Sequence, residues 1–463
     1  MDRLRQLWKG EEEEQAYEPL QNSITEADRE DAQPTSAETT TAFSWIEYSV
    51  FLLLGISMLW AWNMFLAAGP YFQHRFRDDQ WIADNFQAAE ISVSTLTNLG
   101  SMLILTRLQA GASYPKRIVA SLCINIVIFS LLAASTVFDI GARSYFGFLM
   151  VMIFATSFAT GLCQNGVFAY VSGYGTPQYT QGIMTGQAVA GILPCIAQIV
   201  SVLSVQRTNK HQPPHHGTPS DERPPPGPPP VKSTAALAYF LTATIISVLT
   251  LLAFFYLAAR HRHAGAKPVP TTTPETPDEP QPERKEIPLR TLFRKLLWLA
   301  GGVFITFGIT MVFPVFTQQI VSVRAPEKQS PLLQPPSFIP LAFLFWNAGD
   351  LIGRLLTAVP SLSLVSKPRI VFFLAVLRVA WVGLYHLCNI RGQGAVVQSD
   401  FFYLVVVQLL FGLTNGYLGS TCMIGAGEWV ELEEREAAGG FMGLCLVAGL
   451  AVGSLASFFA TGS

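Results

Sequence analysis

Charge is what this sequence has least of. Only 13% of its 463 residues are Asp, Glu, Lys or Arg, against about 25% in soluble domains. That shortage excludes an ordinary soluble domain of this length. The basic residues form no stripe and the net charge is -2, which argues against a nucleic-acid partner. No CxxC or HExxH spacing occurs. The six cysteines (Cys123, Cys163, Cys195, Cys388, Cys422, Cys445) all fall in apolar runs and read as small buried hydrophobes, not disulfides or metal ligands. There is no GxxxxGK[ST] loop, no Arg ladder of a voltage sensor and no TVGYG filter. No nucleophile, base and orienter stand together, so neither an enzyme nor a cofactor or metal is expected. The first 40 residues are acidic and lack an apolar h-region, so a cleaved signal peptide is not expected.

Long apolar runs are there in abundance. Half of the chain is hydrophobic, and runs near 20 residues recur along it. Eleven candidate spans result: 45–69, 84–107, 115–138, 145–172, 178–204, 234–259, 292–320, 337–360, 369–391, 399–426 and 437–460. The chain reads as an all-α polytopic membrane protein. Residues 1–44 form an acidic tail expected to be disordered and cytoplasmic. Within it Tyr17-Glu18-Pro19-Leu20 has the form of a YxxΦ sorting signal for a vacuolar or lysosomal membrane. Residues 45–259 hold six spans, with a Pro-rich loop at 205–233. His211, His215 and His216 in that loop have no second ligand cluster and read as solvated. Residues 260–291 are Pro-rich with mixed charge, a linker expected to be disordered and cytoplasmic. Residues 292–463 hold five spans. With the N-terminus in the cytoplasm, eighteen of the 30 Lys and Arg fall inside, ten outside and two (Arg354, Arg378) within spans. An odd span count then puts the C-terminus outside or in a lumen. No N-x-[ST] sequon offers an independent check.

Polar residues inside the spans carry the functional argument. Phe343 to Ala358, FLFWNAGDLIGRLLTA, sets Asp350 and Arg354 four residues apart, on one helix face. In a membrane each charge costs roughly 2.5–3.5 kcal/mol on insertion scales unless it is paired or faces a polar cavity. Two readings stand: an ion pair that locks two helices, or a pair lining a solute path. Gly349 and Gly353 beside them permit close approach. Trp60 and Trp62 read as interfacial belt aromatics or, beside Asn63, as a plate for a flat hydrogen-bonding ring. Span four carries Gln164 and Asn165. Span five carries Gln187 on a face made small by Gly186, Ala190 and Gly191, and Pro194 is expected to kink it. Span eight adds Trp346 and Asn347. Arg378 in span nine and Asn415 in span ten read as structural polar glue. Side chains from spans one, four and eight together describe a central, water-accessible cavity for a neutral, polar, ring-bearing solute.

These residues resemble the equilibrative nucleoside transporters, with Pro-rich loops and a sorting signal similar to a fungal member. The resemblance runs from Trp45 to the C-terminus. It is carried by Trp62-Asn63 followed by Tyr71-Phe72, by LCQNG with Gln164, by IMTGQAVAG and by WNAGDLIGRLLTA. NGYLGSTCM and EREAAGGFMGLCLVAGLAVG complete it. It implies a major-facilitator-like arrangement of six plus five helices around a central cavity. It implies that Trp62 stacks on the solute, Gln164 bonds the base, and Asp350 and Arg354 address the ribose hydroxyls. Asn63 and Asn347 would orient these groups. Gly186 and Gly191 would pack the fourth helix on the fifth, and Gly353 would pack helix eight. One departure stands out: Ala61 precedes Trp62-Asn63 where many members carry Pro, so helix one is expected to bend differently. In span two the match carries over only Ser94 or Thr95 as facing the cavity.

The expected activity is nucleoside transport, extending to nucleobases, by alternating access down the gradient. The expected partners are a nucleoside and the lipid bilayer, and the chain is expected to act as a monomer. Two alternatives remain. One is proton coupling through Asp350 or Glu90. The other is a membrane receptor or scaffold that binds nucleoside without moving it. The expected location is the plasma membrane or a vacuolar or lysosomal membrane.

Overall fold

The computed structural model describes residues 43–460, apart from 110, 139, 211–232, 266–285, 326 and 328. Tyr17-Glu18-Pro19-Leu20 and the three loop histidines lie outside the described residues. Among the described residues eleven helices are long and apolar enough to cross a membrane: α1 Trp45–Arg75, α2 Gln80–Arg107, α3 Tyr114–Ser135, α4 Ala142–Gly173, α5 Pro177–Val200, α6 Ser233–His261, α7 Leu297–Thr317, α8 Pro335–Leu356, α9 Pro368–His386, α10 Phe402–Glu428 and α11 Leu432–Ser457. Leu252, Phe373 and Leu455 stand exposed on them, as lipid-facing side chains do.

Two connectors are shorter than their composition implied. Helix runs through Lys210 after α5 and through Gly265 after α6, six residues into each expected loop. The proline run begins only at Pro213, so nothing in 205–210 opposes helix. The extension of α6 has a use. Arg260 and His261 reach Glu47 at 3.9 and 3.4 Å, and Tyr179 donates to Glu47 at 2.6 Å. The start of α1 is thereby tied to the start of α5 and the end of α6.

Three crossing helices are irregular. α7 breaks at Met311, and Pro314 has no N–H for the Thr310 carbonyl. α9 breaks at Arg378-Val379. α10 opens with π-helix over Phe402–Leu409, where buried Gln408 donates to Thr317 and Tyr403.

α1 packs on α5 and α6, α2 on α4, and α3 on α4 and α6; α7 packs on α9, α10 and α11, and α8 on α10. Contacts between the two groups run from α5 to α8 and α10, and from α11 to α2 and α4. Gly439 and Gly443 bring α11 onto Phe168 of α4. The cores divide unequally. At one end a single core joins both groups, with Phe51, Phe168 and Tyr179 beside Leu296, Met423 and Met442. At the other end there are two cores. One holds Phe65, Phe129, Tyr145 and Phe240, the other Phe313, Trp346, Tyr385 and Phe411. The two groups are thus joined at one end and separately packed at the other.

Candidate functional site

The site is built on α8, whose close approach to α10 comes from glycine. Gly349 and Gly353 face the Leu409 and Leu413 carbonyls, and Gly412 and Gly416 face those of Trp346 and Asp350. At all four positions an added Cβ would overlap backbone. The two helices carry matching GxxxG steps that let their backbones meet.

That approach buries two charges. Asp350 is 2% exposed and Arg354 4%. Arg354 Nε donates to Asp350 Oδ2 at 2.8 Å, as the four-residue spacing predicts. Asn415 of α10 donates to Asp350 Oδ1 at 2.7 Å, so both carboxylate oxygens have donors. Arg354 also reaches across to α5. Its Nη1 donates to the Met184 carbonyl at 2.7 Å and to Gln187 Oε1 at 3.2 Å. Gln187 in turn donates to Met58 Sδ of α1 at 3.0 Å. A single guanidinium therefore joins α8 to α5 and, through Gln187, to α1. Charge-assisted bonds of this kind are about twice as strong as neutral ones.

The two asparagines also reach α5. Pro194 lies inside that helix and has no N–H for the Ala190 carbonyl four residues back. Asn63 Nδ2 supplies the missing donor at 2.8 Å. Asn347 donates to its own Phe343 carbonyl at 2.9 Å and to Cys195 Sγ at 3.7 Å, with its oxygen against Gly191. Asn63 and Asn347, expected to orient Trp62, Gln164, Asp350 and Arg354, thus each have a donor contact with α5. Asn63 meets the Ala190 carbonyl that Pro194 leaves without a donor, and Asn347 bridges α8 and α5.

The expected packing partner of Gly186 and Gly191 is corrected. Gly186 faces Leu52 and Ile56 backbone of α1, and Gly191 faces Asn347 of α8. They fit α5 against helices one and eight, not against helix four. Composition marks a close approach without naming the partner.

Trp62 is half-buried on α1. Gln164 on α4 is 4% exposed, and its Oε1 has no hydrogen-bond partner among the described residues. Trp346 stacks on Phe313 at 4.2 Å, and its Nε1 is likewise unpartnered. The structure therefore brings Asn63, Asn347, Asp350 and Arg354 together around α5. Gln164 and Trp62 share no hydrogen bond with them. Sequence reasoning placed Gln187 only on a packing face. Its signal was an amide amid MTGQAVAG, a side chain with no place on a purely small-residue seam.

This arrangement offers a carboxylate, a guanidinium and a buried unpaired amide oxygen, which suit hydroxyl and amine groups on a neutral solute. Among the described residues no cluster of metal ligands occurs. A family model described as "Nucleoside transporter" matches residues 150–267 and 257–461. The chain is 30% identical to the Saccharomyces cerevisiae nucleoside transporter FUN26, covering 89% of this chain and 83% of the relative. It is 27% identical to the human equilibrative nucleoside transporter 2, covering 88% and 95%. In fold it is similar to FucP, a major facilitator superfamily transporter, with a TM-score of 0.52 at 12% identity, covering 90% and 96%.

Proposed function

The chain belongs to the nucleoside transporter family, and from that premise we propose that it carries nucleosides across a membrane, down their gradient, by alternating access. It is a multi-pass membrane transporter rather than an enzyme. The observation that carries the reading is the buried Asp350–Arg354 pair, set where α8 meets α5. Unsolvated charges at membrane depth belong to solute paths when they face a cavity. Asp350 and Arg354 address the ribose hydroxyls, Gln164 bonds the base through its unpaired oxygen, and Trp62 stacks on the ring. Asn63 and Asn347 keep the α5 wall of the site in place. The single shared core at one end and the paired cores at the other support a rocking motion about a midplane site. The N-terminus is cytoplasmic on the distribution of Lys and Arg, and the sorting signal favours a vacuolar or lysosomal membrane.

The test is flux. Full-length protein in proteoliposomes takes up radiolabelled uridine and adenosine saturably, with no dependence on a protonophore or on external pH. Uptake that needs an imposed proton gradient would replace facilitated diffusion by coupling. Saturable binding without flux would make the chain a receptor.

Gln187 supplies a sharper check. Gln187→Leu removes one buried bond to a charged group, worth about 1.5–3 kcal/mol. Uridine uptake falls about tenfold, and the melting temperature of the purified protein falls with it. A variant that melts and transports like the wild type removes Gln187 from the site.

A further inference from the structure

Arg378 is a buried cation with no carboxylate against it among the described residues. It is 1% exposed. The break in α9 lets its side chain reach α7 and α10. Nε donates to Thr414 Oγ1 at 3.2 Å, Nη2 to Thr310 Oγ1 at 3.1 Å, and Nη1 to the Thr306 carbonyl. The guanidinium lies 4.6 Å above the Phe411 ring. All these partners are neutral, and a buried charge without a countercharge is costly.

A path to a negative charge runs through Thr310. Its hydroxyl lies 2.6 Å from Asn415 Oδ1 and 2.8 Å from the Thr306 carbonyl. The hydroxyl has one hydrogen for these two acceptors; the Thr306 carbonyl also accepts from Arg378, whereas given to Asn415 at the shorter distance the hydrogen completes a chain. Asn415 then donates to Asp350 at 2.7 Å. Every bond points the same way: guanidinium to hydroxyl, hydroxyl to amide, amide to carboxylate. Reversing the amide would set its oxygen against the carboxylate. Two guanidiniums thus act on one carboxylate, Arg354 directly and Arg378 through two neutral links.

We propose that Arg378, Thr310 and Asn415 are positioning residues that hold Asp350 in the rotamer from which it selects ribose. This rests on the reading of Asp350 as the ribose-facing carboxylate. When Arg354 turns from Asp350 toward the solute, Asn415 is the remaining tie on the carboxylate. Asn415 reaches Asp350 from α10, whereas Arg354 ties the pair to α5.

The experiment compares KM for uridine and for 2′,3′-dideoxyuridine in proteoliposomes of the full-length protein. The wild type takes uridine with the lower KM. Thr310→Val keeps the branched shape but removes the hydroxyl, breaking its links to Arg378 and Asn415. It raises the uridine KM about tenfold, leaves that of the dideoxy analogue within twofold, and keeps Vmax. Thr310→Ser restores the wild-type ratio. If Thr310→Val does not fold, Asn415→Ala breaks the same chain one link later and is read by the same ratio. A wild type indifferent to the two hydroxyls overturns the ribose reading and this inference with it. A selective wild type whose Thr310→Val variant stays selective, or loses both substrates alike, overturns the relay alone.

Discussion

Asp350→Ala abolishes uridine uptake, to below the detection limit of a proteoliposome assay, while folded protein remains recoverable. Both oxygens of the carboxylate accept hydrogen bonds, from Arg354 and from Asn415. Removing it leaves a guanidinium that is 4% exposed with, among the described residues, only the Met184 carbonyl and Gln187 as partners. Breaking a buried pair in this way costs about 3–5 kcal/mol. Arg354→Ala has the same consequence from the other side and also cuts the tie to α5. A structural strut and a solute contact both predict loss of uptake, so the single variants need a companion. Asp350→Leu with Arg354→Met replaces both charges by apolar groups, an exchange that is often neutral or stabilising. A strut needs only to hold helices together, and the double variant would then transport. A solute contact needs the charges, and the double variant is folded and inert. Melting temperature and uridine uptake, measured on the same preparation, separate the two.

The membrane architecture was legible because length and apolarity are enough to specify a crossing helix. The eleven runs read from composition correspond to α1–α11, with shifts of a few residues at most ends. Helix irregularities were less legible. Pro314 marks the break in α7, but the turn at Arg378-Val379 has no glycine or proline within it. It is sustained by three hydrogen bonds from Arg378 to α7 and α10, which are tertiary contacts. The ion pair itself was plain, since a four-residue spacing of opposite charges has one outcome on a helix. Its extension to Gln187, Asn415 and Thr310 was not, because each lies on another helix and spacing along one chain segment carries no register between segments. Asn63 shows the same limit. The amide was noticed, yet its task of satisfying the Ala190 carbonyl depends on Pro194, 131 positions further along.

The packing that delivers Asn415 to Asp350 makes the second large prediction. Gly353→Ala and Gly416→Ala each place a Cβ onto the facing helix's backbone, at the Leu413 carbonyl and Tyr417 nitrogen in one case and the Asp350 carbonyl in the other. A flexible side chain can swing aside from such an intrusion, but a helical carbonyl cannot, so α8 and α10 must separate. Overpacking of a core commonly costs about 1–3 kcal/mol, and here the displaced atoms are backbone over a whole turn. Even a shift on the order of an ångström takes the Asn415–Asp350 bond from 2.7 Å beyond hydrogen-bond reach. Both variants therefore lose uridine uptake and lower the melting temperature, and larger side chains at the same positions prevent recovery of folded protein. Gly100→Ala on α2 is the control, because a Cβ there meets nothing within 4 Å. Exchanging glycine for alanine inside an open helix gains up to about 1 kcal/mol in propensity, so this variant melts no lower than the wild type and transports normally. Gly353→Ala and Gly416→Ala behaving like Gly100→Ala would mean that α8 and α10 do not depend on glycine contact, and that Asp350 is held by its polar partners alone.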